Sequence, residues 1–359
     1  MSSREVVSDV RSFSSNLELY NSIIADIRSA KKSVHVEIYR ITKETVGGLF
    51  CDALANAAKK GTRVMLLFDA WGTGSSLSFF QKIITNGGQV RAFNTIRLGT
   101  KMFTQSHRRN HRKIVTIDDK ICYIGSANIS YYSLSWRELT LRIEGALAKP
   151  FRHITEFDYR TYKKYAYTRK VFTRTIRFRG FEILRDVPSI HKQRVMRKYL
   201  HLIKTAQNSV YIETPYFLPG FRLRKAMADA VKRGVLVTVI TPKNSDVGMV
   251  DTLRNRYLGL VYKSGVNLLF YFPTNLHSKV FIADDNTFCI GSSNFDYRSF
   301  RYMHEILLVG KHQKIKEVLL KHKEETLQNV HEFNYEFWKK RPLIEKFIEI
   351  MLIPFRYFF

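Results

Sequence analysis

Two copies of one polar motif in the 359-residue chain carry residue types that suit phosphate chemistry. Each copy has a histidine, a lysine, an aspartate, a serine and an asparagine, and every internal spacing is the same in both. The copies are His111, Lys113, Asp118, Ser126 and Asn128, and His277, Lys279, Asp284, Ser292 and Asn294. An imidazole, an ammonium, a hydroxyl and an amide from each copy can converge on one point, and this set suits a phosphate group. The repetition predicts one site built from two halves.

Each motif has the pattern of a β-hairpin that would position these side chains. A β-branched run, Ile114 to Ile117 or Val280 to Ile282, is followed by an acidic turn, a second apolar strand and Gly-Ser. Because side chains at i and i+2 of a strand share a face, each histidine is expected beside its lysine, and each serine beside its asparagine. Asp118 and Asp284 have the opposite parity and fall where strand meets turn. We predict a structural role for these two motif carboxylates.

The elements before the motifs also occur twice. The two motif histidines are 166 residues apart (277 minus 111), a domain-sized separation that exceeds the periods of solenoid repeats. The predicted order is helix 17–30, strand 33–39, helix 45–59, strand 63–68, helix 76–85 and strand 89–93, and again helix 192–206, strand 209–213, helix 222–233, strand 236–241, helix 247–264 and strand 267–272. This alternation predicts an α/β fold of two similar α/β sandwich domains, with mixed central sheets and one active site between them.

The composition indicates a folded protein with a polyanionic partner. The chain is 45% hydrophobic and 25% charged, with a net charge of +28 and an isoelectric point near 10.0, so nucleic acid and anionic lipid both qualify as partners. Cys51, Cys122 and Cys289 lack metal-ligand spacing and are predicted to be buried thiols, which fits a reducing compartment. No signal-peptide core and no apolar stretch of membrane-spanning length is found, so the sequence predicts a protein that is not integral to the membrane.

Two further segments point to an anionic surface. From Lys149 to Gly180, basic and aromatic residues alternate without a clear period, which favours contact with lipid headgroups or nucleic-acid bases over a solvated linker. After Pro342, the stretch Leu343 to Ile353 is too short to span a bilayer and too apolar to be left in water. It either docks on the protein or lies in the membrane interface. The predicted division is residues 1–148, a first domain; 149–185, a connecting segment; 186–332, a second domain; and 333–359, an amphipathic tail.

The paired motifs resemble those of the phospholipase D superfamily, over about Leu17 to Gly310. Finer phrases are similar to the bacterial cardiolipin synthase branch: His-Arg-Arg-Asn-His-Arg-Lys at 107–113, Glu-Thr-Pro-Tyr-Phe-Leu-Pro at 213–219, Leu-His-Ser-Lys at 276–279 and Gly-Ser-Ser-Asn-Phe-Asp-Tyr-Arg-Ser-Phe at 291–300. The chain departs from longer members of that branch, which begin with membrane-spanning helices. It also has Glu138 where the branch more often carries aspartate.

The resemblance implies a mechanism through a phosphohistidine, without a metal or other cofactor. It implies that His111 is the nucleophile and His277 the general acid and base, although the near symmetry of the halves leaves the reverse assignment open. The lysines and asparagines of both motifs would bind the nonbridging oxygens, and the two serines would assist by hydrogen bonding. Glu138 and Glu305 would each hold an imidazole in the required tautomer. His107 and His304 lack a lysine partner and are expected to play a supporting part at most.

The implied function is that of a phosphatidyltransferase, with cardiolipin synthase as the leading hypothesis: phosphatidylglycerol would be donor and acceptor, and glycerol would be released. The alternatives are phospholipase D hydrolysis to phosphatidic acid, a metal-independent nuclease of the same superfamily, and a noncatalytic scaffold. The leading hypothesis predicts phospholipid substrates and a peripheral position on an anionic membrane, at the cytoplasmic face. Nucleic acid remains the competing partner, and the sequence sets no oligomeric state.

Overall fold

Two mixed β-sheets with helices packed on them form the computed structural model of the chain, which describes residues 5–93, 108–162 and 175–357. The described strands of the first half are β1 (Asp9–Phe13), β2 (Ser33–Ile38), β3 (Arg63–Asp69), β4 (Gln89–Phe93), β5 (Arg109–Asn110), β6 (Ile114–Ile117), β7 (Ile121–Gly125) and β8 (Thr140–Glu144). The helices are α1 (Asn16–Ser29), α2 (Thr45–Lys59), α3 (Ala70–Thr73), α4 (Gln81–Thr85) and α5 (Ala148–Thr161), with a 3₁₀ turn at Leu77–Phe80.

The second half repeats this plan and adds a C-terminal extension. Its described strands are β9 (Ile176–Phe178), β10 (Phe181–Asp186), β11 (Ser209–Glu213), β12 (Leu236–Pro242), β13 (Asn267–Tyr271), β14 (Val280–Ala283), β15 (Thr287–Gly291), β16 (Met303–Gly310) and β17 (Val330–Glu332). Its helices are α6 (Arg194–Thr205), α7 (Phe221–Lys232), α8 (Gly248–Lys263), α9 (Tyr297–Tyr302), α10 (Gln313–Leu327), α11 (Tyr335–Lys339) and α12 (Leu343–Leu352), followed by a 3₁₀ turn at Ile353–Phe355.

The same strand order appears in both sheets. The first runs β1-β8-β7-β6-β2-β3-β4, and the second runs β9-β10-β16-β15-β14-β11-β12-β13-β17 with β5 paired to β16. In each half, three strands that alternate with helices are parallel, and the motif hairpin continues the sheet in antiparallel fashion. The predicted α/β class, mixed sheets and duplication are therefore confirmed.

Three apolar clusters explain how this plan is held together. Helices α1 and α2 bury a stripe that includes Ile23 and Leu54 against β2 and β3, and α6 and α7 cover the second sheet in the same way. The third cluster joins the opposite faces of both sheets, for example Ile124 and Leu141 with Ile290 and Leu308. Because the burial of apolar area is the main favourable term in folding, this shared core fixes one half against the other.

The connecting segment departs from the sequence-based expectation of an aperiodic stretch. Its first part is helix α5, whose Phe151, Ile154 and Asp158 lie on one buried stripe at helical spacing, and its last part forms β9 and β10. The basic and aromatic composition masked that stripe, because Ile154 and Asp158 belong to neither class. Residues 163–174, which include eight of the segment's aromatic and basic positions, lie outside the described residues.

Two further expectations concern the cysteines and membrane-spanning helices. All three cysteines are buried and free, as predicted. In the described ranges, we find no helix with the length and apolarity needed to cross a membrane.

The motif aspartates lie in the hairpin turns, with their backbone in the left-handed region at φ +53° for Asp118 and +54° for Asp284. The carboxylate of Asp118 accepts the backbone N–H groups of residues 31, 32 and 33 at 2.7–2.9 Å, and that of Asp284 accepts those of residues 207, 208 and 209. Burial by itself would raise the pKa of each carboxyl, but these donors outweigh it and the pKa lies below its usual range. Asp118 thus ties its hairpin to the start of β2, and Asp284 ties its hairpin to the start of β11.

Replacing Asp118 with asparagine is expected to lower the free energy of unfolding by about 1–2 kcal/mol, because three charge-assisted hydrogen bonds weaken. Since the folded-state pKa is depressed, this stabilisation is present above the unfolded pKa of about 3.9 and is lost as the pH falls through the folded value. Urea unfolding at neutral pH and near pH 3 measures both effects. Asp285→Asn, at an exposed carboxylate, is the control and should stay within about 0.5 kcal/mol; an equal loss there would contradict a specific role for Asp118.

Candidate active site

The backbone of each motif histidine is hydrogen bonded to the opposite half of the molecule. The N–H of His111 donates to the carbonyl of His304 at 3.0 Å, and the N–H of His277 donates to the carbonyl of Arg137 at 2.8 Å. Strand β5, just before His111, also pairs in parallel with the start of β16. These contacts bring the two motifs to one boundary between the halves.

The residue that follows His304 is Glu305, and the residue that follows Arg137 is Glu138. Each of these glutamates contacts the same histidine that its neighbour's carbonyl binds. Glu305 Oε1 lies 3.0 Å from Nδ1 of His111, and Glu138 Oε1 lies 2.7 Å from Nδ1 of His277. Each imidazole is therefore oriented by a carboxylate of the other half, which holds the proton on Nδ1 and leaves Nε2 for the reaction. The predicted tautomer-holding positions of Glu138 and Glu305 have this geometry, and the crossed pairing was not foreseen.

Both histidines line one cleft of about 150 Å³ to which the two halves contribute. Asn128 and Asn294 line it as well, and the Oδ1 atom of each is buried without a hydrogen-bond partner among the described residues. The other lining residues are Tyr39, Arg40, Tyr132, Trp136, Tyr216, Asp246, Val247, Val250, Asp296, Arg298, Ser299 and Met303. The cleft thus combines the predicted polar groups with an aromatic and aliphatic wall.

The motif lysines are buried beside the motif histidines, and neither is among the residues that line the cleft. Lys113 Nζ donates to the carbonyl of His111 at 2.6 Å, and Lys279 Nζ donates to the carbonyl of His277 at 2.5 Å. Burial lowers the pKa of both ammonium groups, and the charge of Lys279 lowers that of Lys113 further; for Lys279 the pKa falls to about 8. The charges of the two buried ammonium groups disfavour each other, and a phosphate bound near them would relieve that repulsion.

One motif serine contacts the carboxylate of Glu305, and the other contacts the backbone next to Glu138. Ser292 Oγ donates to Oε2 of Glu305 and accepts from the backbone N–H of Ile306 at 3.1 Å. Ser126 Oγ exchanges hydrogen bonds with the backbone of Leu139, at 2.9 Å from its nitrogen and 3.1 Å from its oxygen. Neither serine lines the cleft, whereas the predicted positions of His111, His277, Asn128 and Asn294 do.

The two histidine–carboxylate pairs differ in electrostatics. Burial lowers the pKa of His111 well below its usual value, with the charges of Lys113 and Lys279 adding to the effect, and burial raises the pKa of Glu305 to about 7. Burial also lowers the pKa of His277, but Glu138 opposes that effect. Burial alone would raise the pKa of Glu138, yet the charge and hydrogen bond of His277 hold it below its usual range. A proton is therefore more stable on His277 than on His111.

The residue between each histidine and lysine contacts a buried glutamate near the end of β2 or β11, a contact that sequence analysis missed. Arg112 Nη1 lies 3.4 Å from Glu37 Oε1, and Ser278 Oγ donates to Glu213. The available signal was the similarity of Ala-Lys-Lys-Ser-Val-His-Val-Glu at 30–37 to Ala-Gln-Asn-Ser-Val-Tyr-Ile-Glu at 206–213. Arg112 also donates to the carbonyls of Glu305 and Asp186, at 3.1 and 3.0 Å, so it links the first motif to the second half.

Two aromatic rings and one arginine of the cleft were also missed. The ring of Tyr39 meets that of His111 edge-on at 5.1 Å between centroids, and the ring of Trp136 lies 5.2 Å from that of His277. Arg298 lines the same cleft, and its Nε is buried with no hydrogen-bond partner in the part of the chain that the structure describes. His304 is buried and carries the carbonyl that binds His111, while His107 lies outside the described residues.

Within the described ranges, the structure has no group of three or more His, Cys, Asp or Glu side chains arranged to hold a metal ion.

Comparison with known proteins connects this cleft to a family. A family model described as "Cardiolipin synthase, PLD-like domain" matches residues 23–158 and 199–327. A cardiolipin synthase from Listeria welshimeri is 30% identical over 355 residues, covering 95% of this chain and 73% of that protein. Cardiolipin synthase 1 from Staphylococcus epidermidis is also 30% identical, over 94% of this chain and 71% of its own.

Solved structures show how widely the fold is shared. A phosphatidylserine synthase from Haemophilus influenzae superposes with a TM-score of 0.78 at 16% identity, covering 99% of this chain and 97% of its own. A polyphosphate kinase from Porphyromonas gingivalis gives a TM-score of 0.64 at 10% identity, covering 96% of this chain and 53% of its own. At these identities the likeness establishes the fold.

Proposed function

The chain belongs to the cardiolipin synthase family with phospholipase D-like domains, and from this we propose that it is a phosphatidyltransferase that makes cardiolipin. It moves a phosphatidyl group from one phosphatidylglycerol to the headgroup glycerol of a second, and glycerol is released. The observation that carries the proposal is the pair of carboxylate-held imidazoles, His111 and His277, at one cleft. The named relatives supply the lipid class.

The reaction proceeds in two displacements. In the first, Nε2 of His111 attacks phosphorus and forms the N–P bond as the P–O bond to the leaving glycerol breaks, while His277 gives its proton to that oxygen. In the second, a hydroxyl of the incoming lipid loses its proton to His277 as its oxygen attacks phosphorus and the N–P bond breaks. Both histidines end in their starting protonation states, so the cycle balances.

The electrostatic difference between the pairs supports this assignment of roles. A nucleophile needs a neutral imidazole, and the pKa of His111 is held well below its usual value by burial and the nearby lysines. A general acid needs a proton to give, and Glu138, 2.7 Å from Nδ1 of His277, partly offsets the lowering of that histidine's pKa by burial. Lys113, Lys279 and the two asparagines bind the nonbridging oxygens, whose charge would otherwise repel the attacking group.

The choice between transfer and hydrolysis depends on what enters the cleft for the second step. The wall of Tyr39, Tyr132, Trp136 and Val250 disfavours free water and accommodates a lipid headgroup. The acceptor also carries its own phosphate, and Arg298, with its buried, unpartnered Nε among the described residues, is available to bind it. Transfer is therefore favoured over the phospholipase D alternative.

The proposed setting is the surface of an anionic membrane, with the chain bound peripherally at the cytoplasmic face. Its net charge of +28 attracts anionic lipid, and its substrates reside in the bilayer. We further propose that residues 1–148 and 186–332 are the two catalytic domains and that residues 149–185 connect them. Residues 333–359 form a tail that contacts the membrane.

Vesicles of phosphatidylglycerol test the function. Purified protein is expected to yield cardiolipin and glycerol in equal amounts, as measured by mass spectrometry and a glycerol assay. Phosphatidic acid without cardiolipin would contradict the transferase assignment and establish a phospholipase D. If neither product forms and plasmid DNA is nicked without added metal in a His111-dependent way, the nuclease hypothesis replaces both.

Anion binding at the free enzyme is expected to weaken above about pH 8. Burial lowers the pKa of Lys279 to about 8, so its ammonium is charged below that pH and is lost above it. Dimethyl phosphate, whose charge does not change over this range, serves as a competitive inhibitor, and its inhibition constant should rise with pH. In Lys279→Arg the guanidinium stays charged and the constant should be flat. A flat profile in the unaltered protein would exclude Lys279 as the titrating group.

A further inference from the structure

Helix α12 has its apolar face turned away from the protein. The side chains of Leu343, Phe347 and Ile350 are 81%, 57% and 53% exposed, and Ile344, Ile348 and Met351 beside them are exposed as well. The charged residue Glu349, by contrast, is buried on the opposite side. A helix of a soluble protein normally turns its apolar side to the core, so this helix is inverted.

Specific contacts hold the helix in this orientation. Both carboxylate oxygens of Glu349 accept from Arg341, at 2.7 and 2.8 Å, and the Arg341 guanidinium stacks 4.0 Å from the ring of Trp338. Trp338 Nε1 donates to the carbonyl of Asn255 in α8 at 2.8 Å. The charged side of α12 is therefore bound to the protein, and its apolar side has no partner within the described chain.

The C-terminal end of α12 adjoins the active-site cleft. Leu352 packs into a small apolar cluster with Leu218, Val250 and Tyr257, and Val247 packs against the same cluster. Val247 and Val250 also line the cleft. A mostly buried apolar cluster therefore joins the C-terminal end of the helix to the wall of the cleft.

The surroundings of the helix fit an anionic lipid surface. Lys339 and Lys340 lie exposed just before α12, and Phe337, at 79% exposure, projects from the preceding helix α11. Exposed aromatic and aliphatic side chains flanked by lysines are the chemistry of an interfacial segment. A second copy of the chain would have to bring anionic groups to meet this positive rim, although each copy itself carries +28.

We propose that α12 is an interfacial helix whose outward apolar face enters an anionic phospholipid surface and sets the mouth of the cleft against that surface. The two predicted fates of the tail then coexist, because Glu349 docks the helix on the protein while its other face meets lipid. The identity of the surface rests on the proposed function. Binding of the helix to lipid does not depend on turnover, so binding and turnover can be measured separately.

The test compares vesicle binding with catalysis. We expect Phe347→Ser with Ile350→Ser to weaken co-sedimentation with phosphatidylglycerol vesicles at least about tenfold, while Leu236→Ser has no effect. Leu236 is a matched control because its side chain is 60% exposed and it begins β12, whose other end leads to the cleft. Turnover of a short-chain phosphatidylglycerol kept below its micelle concentration should be unchanged in all variants, because the helix does not touch the reacting atoms.

Several outcomes would overturn the proposal. It is wrong if the double variant binds vesicles as tightly as the unaltered protein, or if the unaltered protein binds phosphatidylcholine vesicles equally well. A concentration-dependent dimer that the double variant dissociates would show that a second copy covers the face. Loss of soluble-substrate turnover in His111→Ala with vesicle binding intact tests the proposed function alone, so the two failures are distinguishable.

Discussion

His111→Asn is expected to abolish both reaction steps with every phosphodiester, whereas His277→Asn should retain the first step when the leaving group needs no proton. With a natural phospholipid, each change should lower turnover by about 10⁴-fold or more, because one removes the nucleophile and the other the general acid and base. A p-nitrophenyl ester of phosphatidic acid releases a stable anion. Its departure does not require His277, so the two variants separate.

The measurement is a rapid-mixing burst of p-nitrophenol. His277→Asn should release about one equivalent per enzyme and then stall, with the phosphatidyl group recovered on His111 by mass spectrometry after alkaline quenching. His111→Asn should show no burst. The reverse pattern would exchange the roles of the two histidines, and undiminished turnover in either variant would exclude the paired mechanism. Thermal melting of both variants is the folding control.

Much of this site could be predicted from the sequence because the motif occurs twice, and each copy supports the interpretation of the other. A lone His-x-Lys on a strand carries little information, but the same residues at unchanged spacings predicted both hairpins, and the structure has them at β6–β7 and β14–β15. Local periodicity also predicted the helices and strands before each motif, with ends displaced by a few residues. These features depend on neighbours in sequence.

The crossed carboxylates could not be predicted in the same way. Glu138 and Glu305 each follow the motif of their own half, so a local interpretation pairs each with its own histidine. The observed pairs join residues 194 and 139 positions apart, and they arise because strand-like backbone contacts cross between the halves. The cleft wall, with Tyr39, Trp136 and Arg298, depends on the same packing.

The tail and the connecting segment show two other limits of prediction from sequence. In α5, the buried stripe was concealed because it includes aromatic residues such as Phe151 and Tyr159, while basic residues such as Lys149 and Arg160 lie on the exposed face. In α12, amphipathicity was recognisable, but which face meets the protein depended on one ion pair, Arg341 with Glu349. A hydrophobic pattern alone cannot distinguish a helix that turns its apolar side inward from one that turns it outward.

Lys113→Met is expected to make the protein more stable while lowering turnover by about 10²- to 10³-fold. Burial holds the pKa of Lys113 well below its usual value. A lysine whose folded-state pKa is depressed destabilises the fold at pH values below its unfolded pKa of about 10.4. Methionine fills similar volume without a charge, and Lys279 then loses a repelling neighbour. Replacing a buried charge by an apolar side chain of similar volume is expected to raise the free energy of unfolding by about 1–2 kcal/mol at neutral pH.

Thermal melting and steady-state kinetics on one preparation test both halves of this prediction. Lys60→Met, at an exposed position after α2, is the control and should leave melting temperature and turnover unchanged. Dimethyl phosphate should raise the melting temperature of the unaltered protein, because the anion relieves the repulsion between Lys113 and Lys279, and it should have a much smaller effect on Lys113→Met.

The prediction is wrong if Lys113→Met melts at a lower temperature than the unaltered protein. The lysine would then contribute to the stability of the fold, and the repulsion between the two lysines would carry no cost in stability. A higher melting temperature with lost turnover means that the repulsion between the two buried lysines lowers the stability of the fold and that phosphate binding needs both charges. Active sites commonly lower stability in this way for the sake of function.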